Sequence, residues 1–284
     1  MNRRPLFDEV TIIGLGLIGG SLGLALRCGG VARCVVGVAR RQGAVAAARR
    51  MGAVDRGYVA IAPAVEKADL VVIATPPSSV VPLAEEVARR TARTLLLTDA
   101  ASTKGSIVRG WARALPRRIQ AVGSHPMAGS EKKGIEAASE RLFVGALGVV
   151  TPLPGTPPAA VRRVRALWEA VGMRTTTMSP ARHDAVVAMV SHVPHLLAAG
   201  LVSCATAEEL SVAAAGFAEM TRVALGDPAL WEDICVTNRA AILRALARVD
   251  GTLRRMEKAL ARGEWLDLRR RLADGRRKRR LLSP

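Results

Sequence analysis

Two short clusters in this 284-residue chain can do chemistry by residue type and spacing. The first is Gly14-Leu15-Gly16-Leu17-Ile18-Gly19, a G-x-G-x-x-G loop after the apolar run EVTIIGLG and before the helical pattern GGSLGLALRC. Gly14 permits a tight turn, Gly16 lets the backbone approach a pyrophosphate, and Gly19 lets the helix pack close to the strand. The exposed N–H groups of that helix start, where Leu17 and Ile18 stand, favour phosphate charge. The second cluster is His192 and His195, spaced i,i+3 on one helical face, which invites a zinc reading. No HExxH acid accompanies them. Cys28, Cys34, Cys204 and Cys235 form no CxxC and no metal spacing. No metal is expected, and the cysteines read as reduced thiols.

The glycine loop has a second half some 20 residues on. A dinucleotide unit that takes NAD carries an acid there, for the ribose 2′-hydroxyl. Here the strand CVVGVARR ends in Ala39-Arg40-Arg41. Alanine neither accepts from a hydroxyl nor repels a 2′-phosphate. Guanidinium groups from Arg40 and Arg41 can bind that phosphate, at roughly 1.5–3 kcal/mol for each charge-assisted bond. The expected cofactor is NADP, with NAD still open. Thr75 and Pro76, where ADLVVIATPP ends, complete the expected cofactor contacts.

These residues need elements to hold them. The first half alternates apolar runs (EVTIIGLG, RCVVGVAR, ADLVVIATPP, TLLLTDAAS, RIQAVGSHPM, ALGVVTPLPG, MRTTTMSP) with helical patterns such as SVVPLAEEVARRT and AAVRRVRALWEAVG. That order predicts an α/β fold, a Rossmann-type doubly wound parallel sheet. After Pro180 the alternation stops. SPARHDAVVAMVSHVPHLLAAGLVSCA reads as a long helix kinked near Pro194, and the remainder as helical with Gly251 and Gly263 as weak points. The predicted division is a dinucleotide-binding domain over 1–178 and an all-α substrate and dimerisation domain over 179–284. A helical domain with a long apolar face commonly meets its own copy, so a homodimer is expected.

Composition narrows the partners. The net charge is +18 and only 3% of residues are aromatic. Basic grooves for nucleic acid interleave aromatics for stacking, which this chain lacks, so a nucleic-acid role is not expected. The charge suits a small carboxylate substrate instead. The basic C-terminal stretch RRRLADGRRKRRLLSP reads as a solvated, frayed tail, and contact with a polyanion is the sharper option. No secretory leader and no apolar stretch of membrane-spanning length is read, so a cytoplasmic location is expected.

Four further segments, TDAASTKGSI, VGSHPMAGSEKKGIEAA, VSHVPHLL and GFAEMTRVALGDPALWEDI, occur in that order. Together they resemble the prephenate/arogenate dehydrogenase family of tyrosine biosynthesis, over about residues 10 to 240. The resemblance implies hydride transfer from the ring carbinol carbon to nicotinamide, loss of CO2 and aromatisation, and a helical dimerisation domain.

The resemblance also assigns roles. His125 matches the catalytic base, a role suited to a neutral imidazole. Ser102 matches a serine between nicotinamide and substrate hydroxyl, where it either orients the proton path or caps a helix starting near Thr103. Ala100 and Ala101 stand where the family loop often has Val and Gly. Ser130 and Glu131 match residues lining and gating the substrate pocket, with Glu131 able to pair with a cation across the domain junction. His195 matches a pocket-lining histidine, whereas His192 and His183 read as structural. Arg222 matches the arginine that receives the substrate's side-chain carboxylate bidentately. Glu219, one turn earlier, either holds Arg222 or meets a substrate ammonium, and Trp231 is either a pocket wall or a buried structural residue. The alternatives are a β-hydroxyacid dehydrogenase or imine reductase, which would lack SHPMAG, and a catalytically silent NADP-binding regulator.

Overall fold

The computed structural model describes residues 4–129 and 132–282. Its first half is an eight-stranded sheet. The order of elements is β1 (Phe7–Ile13), α1 (Leu17–Cys28), β2 (Ala32–Val38), α2 (Gln42–Arg50), β3 (Arg56–Tyr58), α3 (Ala62–Val65), β4 (Leu70–Ile73), α4 (Pro77–Arg90), β5 (Leu95–Asp99), α5 (Gly105–Ala114), β6 (Ile119–Met127), β7 (Leu147–Thr151), α6 (Pro158–Ala170) and β8 (Arg174–Thr177). The strands lie in the order β3-β2-β1-β4-β5-β6-β7-β8.

The sheet reads as the sequence predicts because its middle strands are covered on both faces. All four residues of β4, Leu-Val-Val-Ile, are buried, as a continuous apolar run in a parallel sheet should be. One apolar layer packs α1, α2 and α6 against one face, with Leu22, Leu26 and Trp168 fully buried. A second, around Val80, Val87, Ile107 and Trp111, packs α4 and α5 on the other. The expected all-parallel pairing is corrected in one place. β7 runs antiparallel to β6, with His125 opposite Val149. Alternation of apolar residues carries no strand direction, so the pattern could not show it.

The helical half comprises α7 (Pro180–Val187), a π turn (Ala188–His192), α8 (Val193–Cys204), α9 (Ala207–Ser211), α10 (Ala215–Thr221), a 3-10 turn (Arg222–Leu225), α11 (Pro228–Thr237), α12 (Arg239–Ala261) and α13 (Trp265–Arg279). Three expectations shift. The break in the long helix is the π turn, and Pro194 sits harmlessly in the first turn after it. Gly251 lies inside an unbroken α12, whereas Gly263, at φ +66°, separates α12 from α13. The basic tail is helical and exposed through Arg279 rather than frayed.

The rod from Pro180 to Cys204 is 25 residues long and apolar enough to cross a membrane by length and composition, contrary to the reading that no stretch is. It is instead the element that brings His183, Asp184, His192 and His195, all buried, to the sheet domain.

Candidate active site

In a doubly wound sheet the ligand crevice lies beyond the carboxyl ends of the strands. A cavity of about 1240 Å³ lies there, lined by Gly14, Gly16, Ala39, Arg40, Arg41, Thr75 and Pro76, with Val59, Ala60 and Ile61 along an apolar stretch. Gly14 adopts φ +101°, and a Cβ on it would stand 2.5 Å from the Ala74 carbonyl oxygen. A Cβ on Gly19 would overlap the carbonyl oxygen of Gly14. Around Gly16 there is open space, since it faces the cleft. Gly16 caps α1 without a side-chain bond, which leaves the first N–H groups of the helix for a phosphate. These features fit a dinucleotide. Leu17, Ile18 and Gly19 do not form the cavity wall. Ile18 packs on the core and Gly19 is buried. Arg90 and Glu136 do line it, and they reach it from α4 and from the segment before β7, too far along the chain for spacing to reveal.

Across the sheet, β6 ends in the Ser124-His125-Pro126 segment. A buried polar cluster fixes its backbone. Asp99, the last residue of β5, accepts from Ser124 N at 3.2 Å and Ala101 N at 3.1 Å. Lys104 Nζ bonds Asp99 Oδ2 and donates to Ser124 O at 2.8 Å. Ser124 Oγ donates to Asp99 O at 2.6 Å and accepts from Trp168 Nε1 at 2.9 Å. Both Asp99 and Lys104 are fully buried. Desolvation pushes the Asp99 carboxyl up and the Lys104 amine down, against the attraction of each charge for the other. In the sequence Asp99 and Lys104 are simply five positions apart in TDAASTK, and nothing local marks them as a buried pair.

His125 is part-buried on this anchored strand. Its Nδ1 lies 2.9 Å from His183 Nε2, and His183 Nδ1 lies 2.8 Å from Asp184 Oδ1. His183 was expected to be structural; it touches the catalytic candidate. Burial, then the charges of His183, Lys104 and His192, push the His125 imidazole well below its ordinary value. It is therefore neutral at physiological pH and able to accept a proton. Ser102 is half-buried in the loop between β5 and α5. It does not cap a helix. α5 begins at Gly105, and the N–H groups of Lys104 and Gly105 both donate to the Asp184 carboxylate, each at 2.8 Å. The cap comes from the other half of the chain.

Further bonds join the halves. Ser78 N donates to Asp233 Oδ2 at 3.0 Å, Thr103 Oγ1 to Thr237 Oγ1 at 3.0 Å, and Lys133 pairs with Asp227 at 3.0 Å. Ser130 and Glu131 lie outside the described residues. On the helical side, His195 stacks on Trp231 with ring centroids 3.5 Å apart at 10°. Gly226 permits the pair, since a Cβ there would stand 2.9 Å from His195 Cε1. Trp231 is half-buried, with one ring face covered by His195 and with His192 nearly perpendicular to it at 6.0 Å between ring centroids. The turn carrying Arg222 packs on α8 beside His195, and Arg222 and Glu219 are both exposed. His192 is buried and bonds Asn238 Nδ2 through Nδ1 at 3.2 Å. Among the described residues no group of three or more potential ligands could hold a metal.

All four histidines of the chain are thus near the junction, and burial depresses each pKa, that of His192 to about 4. The unfolded chain takes up protons near pH 6.5, whereas the folded chain resists until lower pH. Stability is therefore full above pH 6.5 and lost as pH falls from there toward 4. His192 alone accounts for about 1.4 kcal/mol per pH unit in that window. Urea unfolding at pH 7.5 and pH 5 should show this loss; equal stabilities would contradict the buried neutral cluster.

Comparison with known proteins agrees with this layout. Residues 22–177 match the family model "Prephenate dehydrogenase, nucleotide-binding domain", and residues 179–274 match "Prephenate dehydrogenase, dimerization domain". Prephenate dehydrogenase of Bacillus subtilis is 36% identical over 258 residues, 88% of this chain and 69% of that protein. Cyclohexadienyl dehydrogenase of Zymomonas mobilis is 32% identical over 265 residues, 90% of this chain and 89% of that protein. The crystal structure of A. aeolicus prephenate dehydrogenase, in complex with hydroxyphenyl propionate and NAD+, superposes with a TM-score of 0.91 at 29% identity. It covers 97% of this chain and 98% of that one. Synechocystis arogenate dehydrogenase superposes at 0.83 and 28% identity, covering 97% and 100%. With a glycine-loop cleft at one part of the sheet, a histidine on an anchored strand further along it, and both family models matched in order, the chain belongs to the prephenate dehydrogenase family.

Proposed function

We propose that this protein oxidatively decarboxylates prephenate or arogenate, with NADP as the preferred acceptor, in tyrosine biosynthesis. The observation that carries the reading is a neutral, part-buried His125 fixed on β6, two strands along the same sheet from the β4 end that walls a dinucleotide-type cleft. A dinucleotide held in that cleft by the glycine-loop N–H groups would supply the acceptor for the hydride on the ring carbinol carbon. His125 takes the proton of the ring hydroxyl as that carbon is oxidised, and the departing carboxylate leaves as CO2. Ser102, in the loop between cleft and base, orients the hydroxyl. Arg222, with Glu219 one turn away, receives the side-chain carboxylate. His195 and Trp231 form an apolar, stacked wall against the ring, and Ser130 and Glu131 complete the pocket. The chain divides at 178/179, β8 ending at Thr177 and α7 starting at Pro180.

Homodimerisation through the helical half is part of the same reading. That half exposes Leu197, Leu201, Met220, Leu225, Leu243 and Leu260, a surface a second copy would cover. The enzyme is placed in the cytoplasm.

The test is absorbance at 340 nm with prephenate and with arogenate, each against NAD and NADP. Turnover with at least one pair is expected, faster with NADP. Silence in all four would remove the proposal. Arg40 and Arg41 are exposed at the rim of the cleft, with no acid at Ala39 to exclude a 2′-phosphate. Arg40→Ala should raise KM for NADP roughly tenfold or more, the worth of one charge-assisted bond, and that for NAD little. Equal effects on both would return Arg40 to solvent.

A further inference from the structure

The imidazole on β6 has a partner that the sheet domain does not supply. His125 Nδ1 and His183 Nε2 are 2.9 Å apart, with the rings nearly edge to face at 71°. One nitrogen of that pair must donate and the other accept. Which one donates follows from the next bond along. His183 Nδ1 lies 2.8 Å from Asp184 Oδ1. The Asp184 carboxylate also accepts the N–H groups of Lys104 and Gly105. Burial pushes that carboxyl up, but the His183 bond and the two amide bonds outweigh it and hold it below its ordinary value. An ionised carboxylate only accepts. The shared proton is therefore on His183 Nδ1.

Burial keeps His183 neutral, so its Nε2 is the bare nitrogen. It can only accept, and His125 Nδ1 must carry the donated proton. Since His125 is also neutral, its Nε2 holds the free lone pair. The free histidine side chain in water favours the opposite tautomer, with the proton on Nε2, so the site overrides the intrinsic preference.

We propose that His183 and Asp184, carried on α7, are a positioning pair that fixes His125 with its proton on Nδ1 and presents Nε2 as the base. This deepens the reading of His125 as base and rests on it. In the step itself, the substrate hydroxyl proton passes to Nε2. His125 becomes an imidazolium, its Nδ1–H still bonded to His183 and facing the Asp184 charge through that ring. As the C–C bond to the carboxylate breaks and CO2 leaves, the bond's electron pair aromatises the ring and leaves a phenolate oxygen, to which the proton on Nε2 returns. The base and its support sit on different halves of the chain. Asn238 Nδ2, which donates to Asp184 O at 2.9 Å, and the Asp184 cap on α5 keep the two in register.

With only four histidines, the ring nitrogens of 15N-histidine-labelled protein can be assigned by single replacements and read in long-range 1H–15N spectra. At pH 7.5, with no substrate present, the full chain should show His125 protonated on Nδ1 and bare on Nε2. A proton on Nε2 would overturn the proposal whether or not the enzyme turns over prephenate or arogenate. Separately, His183→Leu should lower kcat by roughly 10–100-fold, the usual effect of losing such an orienting partner. The dinucleotide Kd should stay unchanged, and His125 should drift to mixed tautomers. His183→Gln, whose amide oxygen can accept from Nδ1, should recover kcat to within a few-fold. Equal losses in two folded variants would reduce His183 to packing and overturn the positioning role.

Discussion

Replacing His125 by Asn is expected to lower kcat by two to four orders of magnitude while the dinucleotide still binds. General acid–base catalysis contributes about that much. An asparagine amide cannot take a proton at any working pH. The substitution is otherwise mild, because the residue is part-buried and the strand is held elsewhere: by Asp99 and Lys104 at Ser124, and by the ladder with β7. The cleft that binds the cofactor is lined from β1, β2 and β4, not from His125. Fluorescence titration with NADPH should therefore match the parent protein, whereas stopped assays with substrate should show the loss. A kcat within threefold of the parent would remove His125 from the chemistry.

The second large effect falls on stability. Lys104→Met should destabilise the protein by about 3–5 kcal/mol at neutral pH, because it strands a carboxylate in the interior. Asp99 and Lys104 are both fully buried, and Asp99 would keep only its bonds from Ser124 N and Ala101 N. Each kcal/mol shifts the midpoint of a domain this size by about 2–4 °C, so a Tm drop on the order of 10 °C is expected. Its pH dependence gives a second check. In the variant the folded pKa of Asp99 lies above the unfolded value near 4, so the defect is smallest in acid and grows as pH rises through the folded pKa. Calorimetry at pH 4.5 and 7.5 should show the gap to the parent widening; a constant gap would point to lost packing instead of a stranded charge.

The parts of the site that sequence could show are the local ones. The glycine loop is readable because three glycines answer to one turn and its helix, and Ala39-Arg40-Arg41 because a strand end meets the ribose at a fixed distance along the chain. His125 is readable through its own motif. His183 and Asp184 are not, since His183 meets His125 across 58 positions through the docking of α7, Asp184 acts through His183, and ARHDA looks like any surface helix. Lys104 reads as a loop cation until the fold closes over it. In the fold, the short β3 and α3 escaped notice because three and four residues carry no periodicity. Gly251 misled because a glycine costs a helix interior only about 1 kcal/mol, less than the packing of a 23-residue helix supplies.

The π turn between α7 and α8 has a consequence for how such chains can change over generations. His183 and His192 are nine residues apart, which in a regular helix sets them on roughly opposite sides. The wider i→i+5 winding over Ala188–His192 advances less per residue and swings His192 back toward the junction, where it meets Trp231 and Asn238. A substitution at the exposed Val190 changes only a local contact. Losing one residue from the turn would rotate everything downstream by about 100°, carrying His192 and the His195 face of the stacked wall away from the base. Length, rather than residue identity, is the inherited quantity here. Kindred chains should vary at its exposed position, Val190, yet admit no gap in the segment without a compensating gain before His192.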